Sequence, residues 1–253
     1  MTFHPPFARN QRCICCGLFT DSSDFWCDTC LLDLPWQSRA CSRCGSLLDF
    51  RPTINEPLAC ANCAIARPDW DQLLCPWQYR QPISGLIHAF KYQHNFRAGS
   101  ALAGAFSEFL HAHYDRGDWP DLLIPTPLHW RRRWQRGFNQ ADYLSHALVK
   151  QLRQTRQDPL MPSPKVASDI CRRRRHTPFQ RGLSQSERED NLSGAFHLKP
   201  GAAKKIRGKH IALVDDVYTT GSTLRALSAV FTDSEVREIS IWALCSTASA
   251  HKN

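Results

Sequence analysis

The sequence predicts an α/β protein: a mostly parallel sheet with helices packed against it, preceded by a small metal-binding module. Three observations carry this. From Leu122 onward apolar runs and helical patterns alternate, as in parallel sheets with crossover helices. Ile211-Ala-Leu-Val214 is apolar without alternation and includes two β-branched residues, the pattern of a strand buried on both faces. Ten of the twelve cysteines lie before residue 76, eight of them in four CxxC pairs.

At 253 residues the chain has room for one large domain, or for one medium and one small. Charged residues make up 22% and hydrophobic residues 42%, a globular balance rather than a disordered one. No apolar run is long enough to span a bilayer. Residues 1–11 hold no apolar signal-peptide core. The expected location is the cytoplasm, with the inner face of the membrane as an alternative. A formal net charge of +9 favours polyanionic partners, nucleic acid or phosphorylated ligands, over the plain alternative of an ordinary basic cytosolic protein.

The pairs Cys13/Cys16 and Cys27/Cys30 are separated by ten residues, and Cys41/Cys44 and Cys60/Cys63 by fifteen. A two-residue spacer lets both thiolates of a knuckle face one tetrahedral ion, so four pairs make two structural four-cysteine zinc sites. In a reducing cytosol the competing reading is a set of free or redox-active thiols. Sequential pairing gives two stacked zinc ribbons; alternating pairing gives a cross-braced unit. Sequential pairing closes shorter loops and is favoured. Cys15 is a spare thiol, and Cys75, Cys171 and Cys245 read as ordinary thiols. The segment is too small for a sizeable core of its own, so metal should supply its folding free energy. Trp26, Trp36 and Arg39 suit a contact surface or simple packing.

Arg67-Pro68-Asp69 reads as a linker, so the expected domains are 1–66 and 70–250. Leu73 to Tyr79 is strand-like. From Ile83 to His113 the spacing of Ile83, Leu86, Ile87 and Phe90, then Leu102, Phe106, Phe109 and Leu110, is helical, broken between Asn95 and Gly99. Lys91 and Tyr92 could reach a ligand; the plainer reading is a solvated lysine. Leu122 to Leu128 is a strand running into a loop pinned by Pro125 and Pro127. Behind it Arg131, Arg132, Arg133 and Arg136 cluster, and the arginine fork fits phosphate oxygens bidentately. Trp130, Trp134 and Phe138 are interleaved with them, a pattern suited to stacking single-stranded bases; a solvated basic turn is the alternative. A helix follows from Asn139 to Leu152, then a polar loop and a strand from Val166 to Ile170. Cys171 to Leu192 has no clean period and reads as a long basic loop, a feature usually functional inside compact domains. Short strands at Ala195–Leu198 and Ile239–Cys245 complete the chain.

The central stretch is Val214-Asp-Asp-Val-Tyr-Thr-Thr-Gly-Ser-Thr223. It reads as strand, acidic exit, small-residue loop and helix, the helix carried by Leu224, Leu227 and Phe231. Backbone N–H groups of such a loop suit a phosphate, and Gly221 allows close approach. Asp215 and Asp216 would repel phosphate but suit ribose hydroxyls. The stretch resembles the phosphoribosyl pyrophosphate (PRPP) signature of type I phosphoribosyltransferases, against a chance acidic pair in an ordinary strand–turn–helix.

Zinc knuckles, Pro125-Thr-Pro127, Arg136-Gly-Phe-Asn-Gln140, Gln185 with Arg188 and Asn191, Ala195-Phe196 and the PRPP motif occur in this order. In this the chain is similar over nearly its whole length to the ComF/GntX family of competence and DNA-utilisation proteins. The resemblance implies a type I phosphoribosyltransferase-like sheet behind a double zinc ribbon. It implies ribose hydroxyls at Asp215 and Asp216, the 5-phosphate at Thr219, Thr220, Gly221, Ser222 and Thr223, and pyrophosphate at Thr126, Pro127 and Arg136. Arg172, Arg173, Gln185 and Arg188 fall in the place of the flexible loop that closes over the site. Mg²⁺ would arrive with PRPP. Partners implied are PRPP, single-stranded DNA at Trp130, Arg131, Arg132, Arg133 and Trp134, and DNA-uptake proteins. No base-binding hood is recognisable; His129 and His176 are nearby candidates for a general base, with a structural role as the plainer reading. An active transferase of nucleotide salvage and a non-catalytic adaptor are the two alternatives to a PRPP-binding protein of DNA uptake.

Overall fold

The computed structural model describes residues 11–20, 25–37, 39–48, 59–114, 118–155, 163–174 and 194–247. Its first part is built on cysteine knuckles more than on regular structure. It holds a hairpin of two-residue strands, β1 (Gln11–Arg12) and β2 (Phe19–Thr20), and two five-residue helices, α1 (Asp28–Leu32) and α2 (Ala61–Ile65). Helices this short do not hold alone in water. Each begins at a cysteine of a CxxC pair, Cys27 for α1 and Cys60 for α2.

The remainder runs β3 (Gln72–Leu74), β4 (Trp77–Gln78), α3 (Ile83–Tyr92), α4 (Phe96–His113), β5 (Leu122–Pro125), α5 (Trp130–Arg136), α6 (Gln140–Gln154), β6 (Lys165–Val166), β7 (Cys171–Arg173), β8 (Phe196–Leu198), α7 (Ala202–Ile206), β9 (His210–Tyr218), α8 (Ser222–Ser228) with a 3-10 turn over Ala229–Ser234, and β10 (Glu238–Ser246). The sheet order is β3-β10-β9-β5-β6, and every pairing in it is parallel, with β4 continuing the β3 edge along β10. β7 and β8 form a separate antiparallel ribbon. No helix among the described residues is long and apolar enough to cross a membrane.

The two long strands are apolar on both faces because helices cover both faces. Ala212, Val214, Trp242 and Leu244 pack with α3, α4 and α6, through Ile87, Phe106 and Leu148. Ile211, Leu213, Ile241 and Ala243 pack with α7, α8 and the 3-10 turn, through Ile206, Leu227 and Phe231. This is the α/β architecture with a mainly parallel central sheet that the sequence predicts.

Some local expectations shift. Cys75 and Pro76 split the strand-like patch into β3 and β4. The break between α3 and α4 falls at residues 93–95, where Asn95 caps α4 by accepting from the Ala98 N–H at 3.0 Å. The strand expected from Val166 to Ile170 is confined to Lys165–Val166, and the next strand begins only at Cys171. The stretch after His129, read as a basic turn or loop, contains α5. Gln185, Arg188, Asn191 and His176 lie outside the described residues.

The cysteine-rich part is fastened to α4 and to the sheet edge by tryptophans. Trp26 is buried and donates its indole N–H to the Ala101 carbonyl of α4 at 3.0 Å. Trp36 packs against Trp77 with ring centroids 5.5 Å apart. Both therefore pack, the simpler of the two roles expected.

Candidate functional site

The site grows from the carboxyl end of β9, beside β5. β9 outruns β5: the last paired residues are Pro125 and Val214, and the Thr126 N–H still reaches the Val214 carbonyl at 2.8 Å. Asp215 and Asp216 follow, on opposite faces because strand side chains alternate. Asp216, 8% exposed, meets Lys91 of α3 with Nζ and Oδ2 2.8 Å apart. Lys91 is therefore no solvated lysine. Burial pulls its pKa down, but the charge of Asp216 and the hydrogen bond to it outweigh that, and the net shift is upward. Asp215 receives the Asp216 N–H at 2.9 Å. Burial, and then the charge of Asp216, push its pKa up to about 7, against the opposing pull of Lys91 and Thr126.

Lys91, Arg132, Arg136 and Arg173 line a cavity of about 760 Å³ together with Asp215 and Asp216. Burial lowers the pKa of Arg173 to about 10, and neighbouring Arg132 adds to this. Arg136 is held by Gln140 Oε1 at 3.1 Å and Tyr92 Oη at 3.2 Å. Gln140 is 2% exposed and lines the same cavity, and its buried amide nitrogen meets no hydrogen-bond partner. A buried donor without a partner costs free energy unless a ligand supplies the acceptor.

The segment Arg136-Gly-Phe-Asn-Gln140 builds this corner. Gly137 ends α5 in the left-handed region, at φ 75°. Phe138 packs on Phe90 and Phe96, with centroids 5.3 and 5.1 Å away. Asn139 caps α6, accepting from the Ala141 N–H at 3.1 Å, and donates to the Thr126 carbonyl at 3.1 Å. Asn139→Ala is expected to lose both bonds and about 1 kcal/mol of stability; the midpoint of urea unfolding would record it.

The loop after β9 turns on Gly221. Its φ is 74°, and a Cβ there would sit 2.5 Å from Tyr218 Oη. The residues predicted from sequence thus fall into groups. Thr126, Arg136, Asp215, Asp216, Thr219 and Thr223 share the 760 Å³ cavity. Thr220, Gly221 and Ser222 continue the chain into α8 and do not line it, the two hydroxyls 2.7 Å apart. Pro127, Trp130, Arg133 and Arg172 line a neighbouring cavity of about 610 Å³, and Arg173 lines both. Trp130 and Trp134 are 60% and 87% exposed, and Arg131 lies over the Trp130 ring at 5.3 Å. His129 is buried and caps α5 by accepting from the Arg131 N–H at 3.3 Å, a structural task. Reasoning from sequence passed over Gln140 as a site residue and did not anticipate the pairing of Lys91 with Asp216.

The cysteines gather sequentially, as favoured: Cys13, Cys16, Cys27 and Cys30 in one tetrad, Cys41, Cys44, Cys60 and Cys63 in the other, each with all sulfurs within 4.8 Å of one another. A tetrahedral zinc with Zn–S of about 2.3 Å sets its sulfurs about 3.8 Å apart. Cys16 and Cys27 lie at 3.9 Å and Cys44 and Cys60 at 3.6 Å, so both donor sets fit the ion.

No protein-family model matches the chain. The chain is 35% identical over 243 residues to Competence protein F of Haemophilus influenzae, covering 93% of this chain and 96% of that protein. It is 32% identical over 223 residues to DNA utilization protein YhgH of Escherichia coli, covering 87% and 90%. A shorter match, 30% identical over 151 residues, is to Competence protein ComFC of Bacillus subtilis, covering 58% of this chain and 52% of that protein.

Proposed function

Because the chain belongs to the ComF family of competence and DNA-utilisation proteins, we propose that it serves DNA utilisation by binding PRPP at residues 215–223 and single-stranded DNA along α5. The observation that carries the first half is that one cavity holds both carboxylates and arginines. The carboxylates suit the hydroxyls of a ribose; the arginines suit a pyrophosphate, and the unpartnered amide nitrogen of Gln140 belongs to the residue that holds Arg136. Gly221 lets the loop backbone turn its N–H groups toward a 5-phosphate. Mg²⁺, arriving on PRPP, would neutralise the pyrophosphate. The two cysteine tetrads would each hold one structural zinc ion. In this reading residues 1–66 are a double zinc ribbon and 70–250 a phosphoribosyltransferase-like domain.

Titration calorimetry with Mg²⁺ and PRPP tests the site. Asp215→Asn together with Asp216→Asn should abolish the binding heat of the wild-type chain while circular dichroism stays unchanged. Equal affinity in the double variant would move the ligand elsewhere.

The DNA half rests on the exposure of Trp130 and Trp134 between arginines. Duplex bases cannot stack on such rings, so single strands should be preferred. Trp130→Ala with Trp134→Ala should lose about 1–3 kcal/mol per stacked base without unfolding the protein. Arg131→Ala with Arg133→Ala should instead flatten the salt dependence. Fluorescence anisotropy of a labelled oligonucleotide across a salt series separates these effects; no binding at low salt would remove DNA from the direct ligands.

A further inference from the structure

The second cysteine tetrad lies against the loop that the proposed function assigns to phosphate, and the contact passes through one side chain. Arg43 sits inside the Cys41–Cys44 knuckle, and its carbonyl accepts the indole N–H of Trp70 at 2.7 Å. Trp70 is buried. Its ring meets Tyr218 edge to face, with centroids 6.5 Å apart, and the Arg225 guanidinium of α8 lies 5.6 Å from the ring centroid. Tyr218 is the last residue of β9, and the loop backbone at Gly221 rests so close to its hydroxyl that a Cβ would not fit. The knuckle also touches the sheet directly. The Ser42 carbonyl accepts the Leu73 N–H at 2.7 Å, and a Cβ at Gly45 would lie 3.1 Å from Leu73.

The shape of the knuckle depends on its sulfurs converging. The Arg43 and Cys60 N–H groups point at Cys41 Sγ, at 3.5 and 3.2 Å, and the Gly45 N–H closes back on the Cys41 carbonyl at 2.9 Å. Four thiolates hold such an arrangement only around a cation; without one they repel or protonate and the turn is free to open. The Arg43 carbonyl, and with it Trp70, would then lose its fixed position. The first tetrad fastens elsewhere, through Trp26 to Ala101 of α4, and gives an internal comparison.

We infer that Trp70 is a positioning residue that couples metal binding at Cys41, Cys44, Cys60 and Cys63 to the geometry of the loop at 219–223, and so to its affinity for a phosphate. The phosphate clause rests on the proposed PRPP site; the coupling to the loop does not. The test uses the intact, zinc-loaded chain with two readouts: hydrogen exchange of the backbone over 218–225, and PRPP affinity by calorimetry. Trp70→Phe keeps a ring but removes the donor to Arg43. It should retain both zinc ions by metal analysis, yet exchange at 218–225 on the order of tenfold faster, the scale of one lost hydrogen bond. Cys63→Ser should do the same on losing the second ion, while Cys27→Ser should leave that segment unchanged. Unaltered exchange in Trp70→Phe overturns the coupling. So does an equal acceleration in Cys27→Ser, which would mean general loosening. If Cys63→Ser does not fold, Trp70→Phe decides alone. If wild type fails to bind PRPP, the ligand reading falls while exchange still decides the coupling; if it binds and Trp70→Phe binds equally well, the affinity clause falls.

Discussion

Stripping metal from the chain is expected to release two zinc ions and unfold the described cysteine-rich segments, 11–20, 25–37, 39–48 and 59–66, while the parallel sheet survives. Structural zinc in small modules contributes about 10–16 kcal/mol per site at neutral pH, and little else here could substitute. The hairpin β1–β2 has two residue pairs, the two helices have five residues each, and the apolar cluster around the second tetrad is Cys41, Leu48 and Cys63. Two of those three residues are the proposed ligands themselves. Trp26 and Trp36 report the loss, since Trp26 is held against α4 and Trp36 against Trp77 of β4; their fluorescence should shift to the red on chelation and return when zinc is restored. Cys27→Ser should release one ion and melt the first tetrad alone. Protein purified under reducing, chelator-free conditions and found to hold no zinc would remove the metal from this account.

What was legible in the sequence follows the physics of burial. Ile211 to Val214 reads as a strand because both faces of β9 are covered, so no polar alternation interrupts it. The CxxC spacing is legible because ligand geometry constrains it locally. Helix α5 is another matter. None of Trp130 to Arg136 is buried, so there is no apolar stripe to find; the helix is defined by His129 at one end and the left-handed Gly137 at the other. Strands β6 and β7 are too short to show a period, and their bounds are set by the parallel pairing of Lys165 with Leu122 and the antiparallel pairing of Cys171 with Leu198. Lys91 is hidden for a third reason. A lone lysine on an amphipathic helix looks solvated until the sheet brings Asp216 to it from far along the chain.

That ion pair supports the second large effect. Lys91→Met is expected to cost about 3–5 kcal/mol at pH 8, because it leaves Asp216 buried and charged without a counterion. Adding Asp216→Asn should recover most of the loss, since an amide needs no counterion. Two other groups set the background. Asp215 holds its proton up to about 7 in the fold against 3.8 ordinarily, so its favourable contribution is full below about pH 4 and fades as pH rises through 7. Lys91, raised above its ordinary value of 10.5, contributes fully at every pH below that value and loses its part only in strong alkali. Wild-type stability should therefore decline from pH 5 to pH 8 through Asp215, and urea unfolding at the two pH values measures it. A double variant no more stable than Lys91→Met alone would show that the unpaired carboxylate of Asp216 is not the source of the cost.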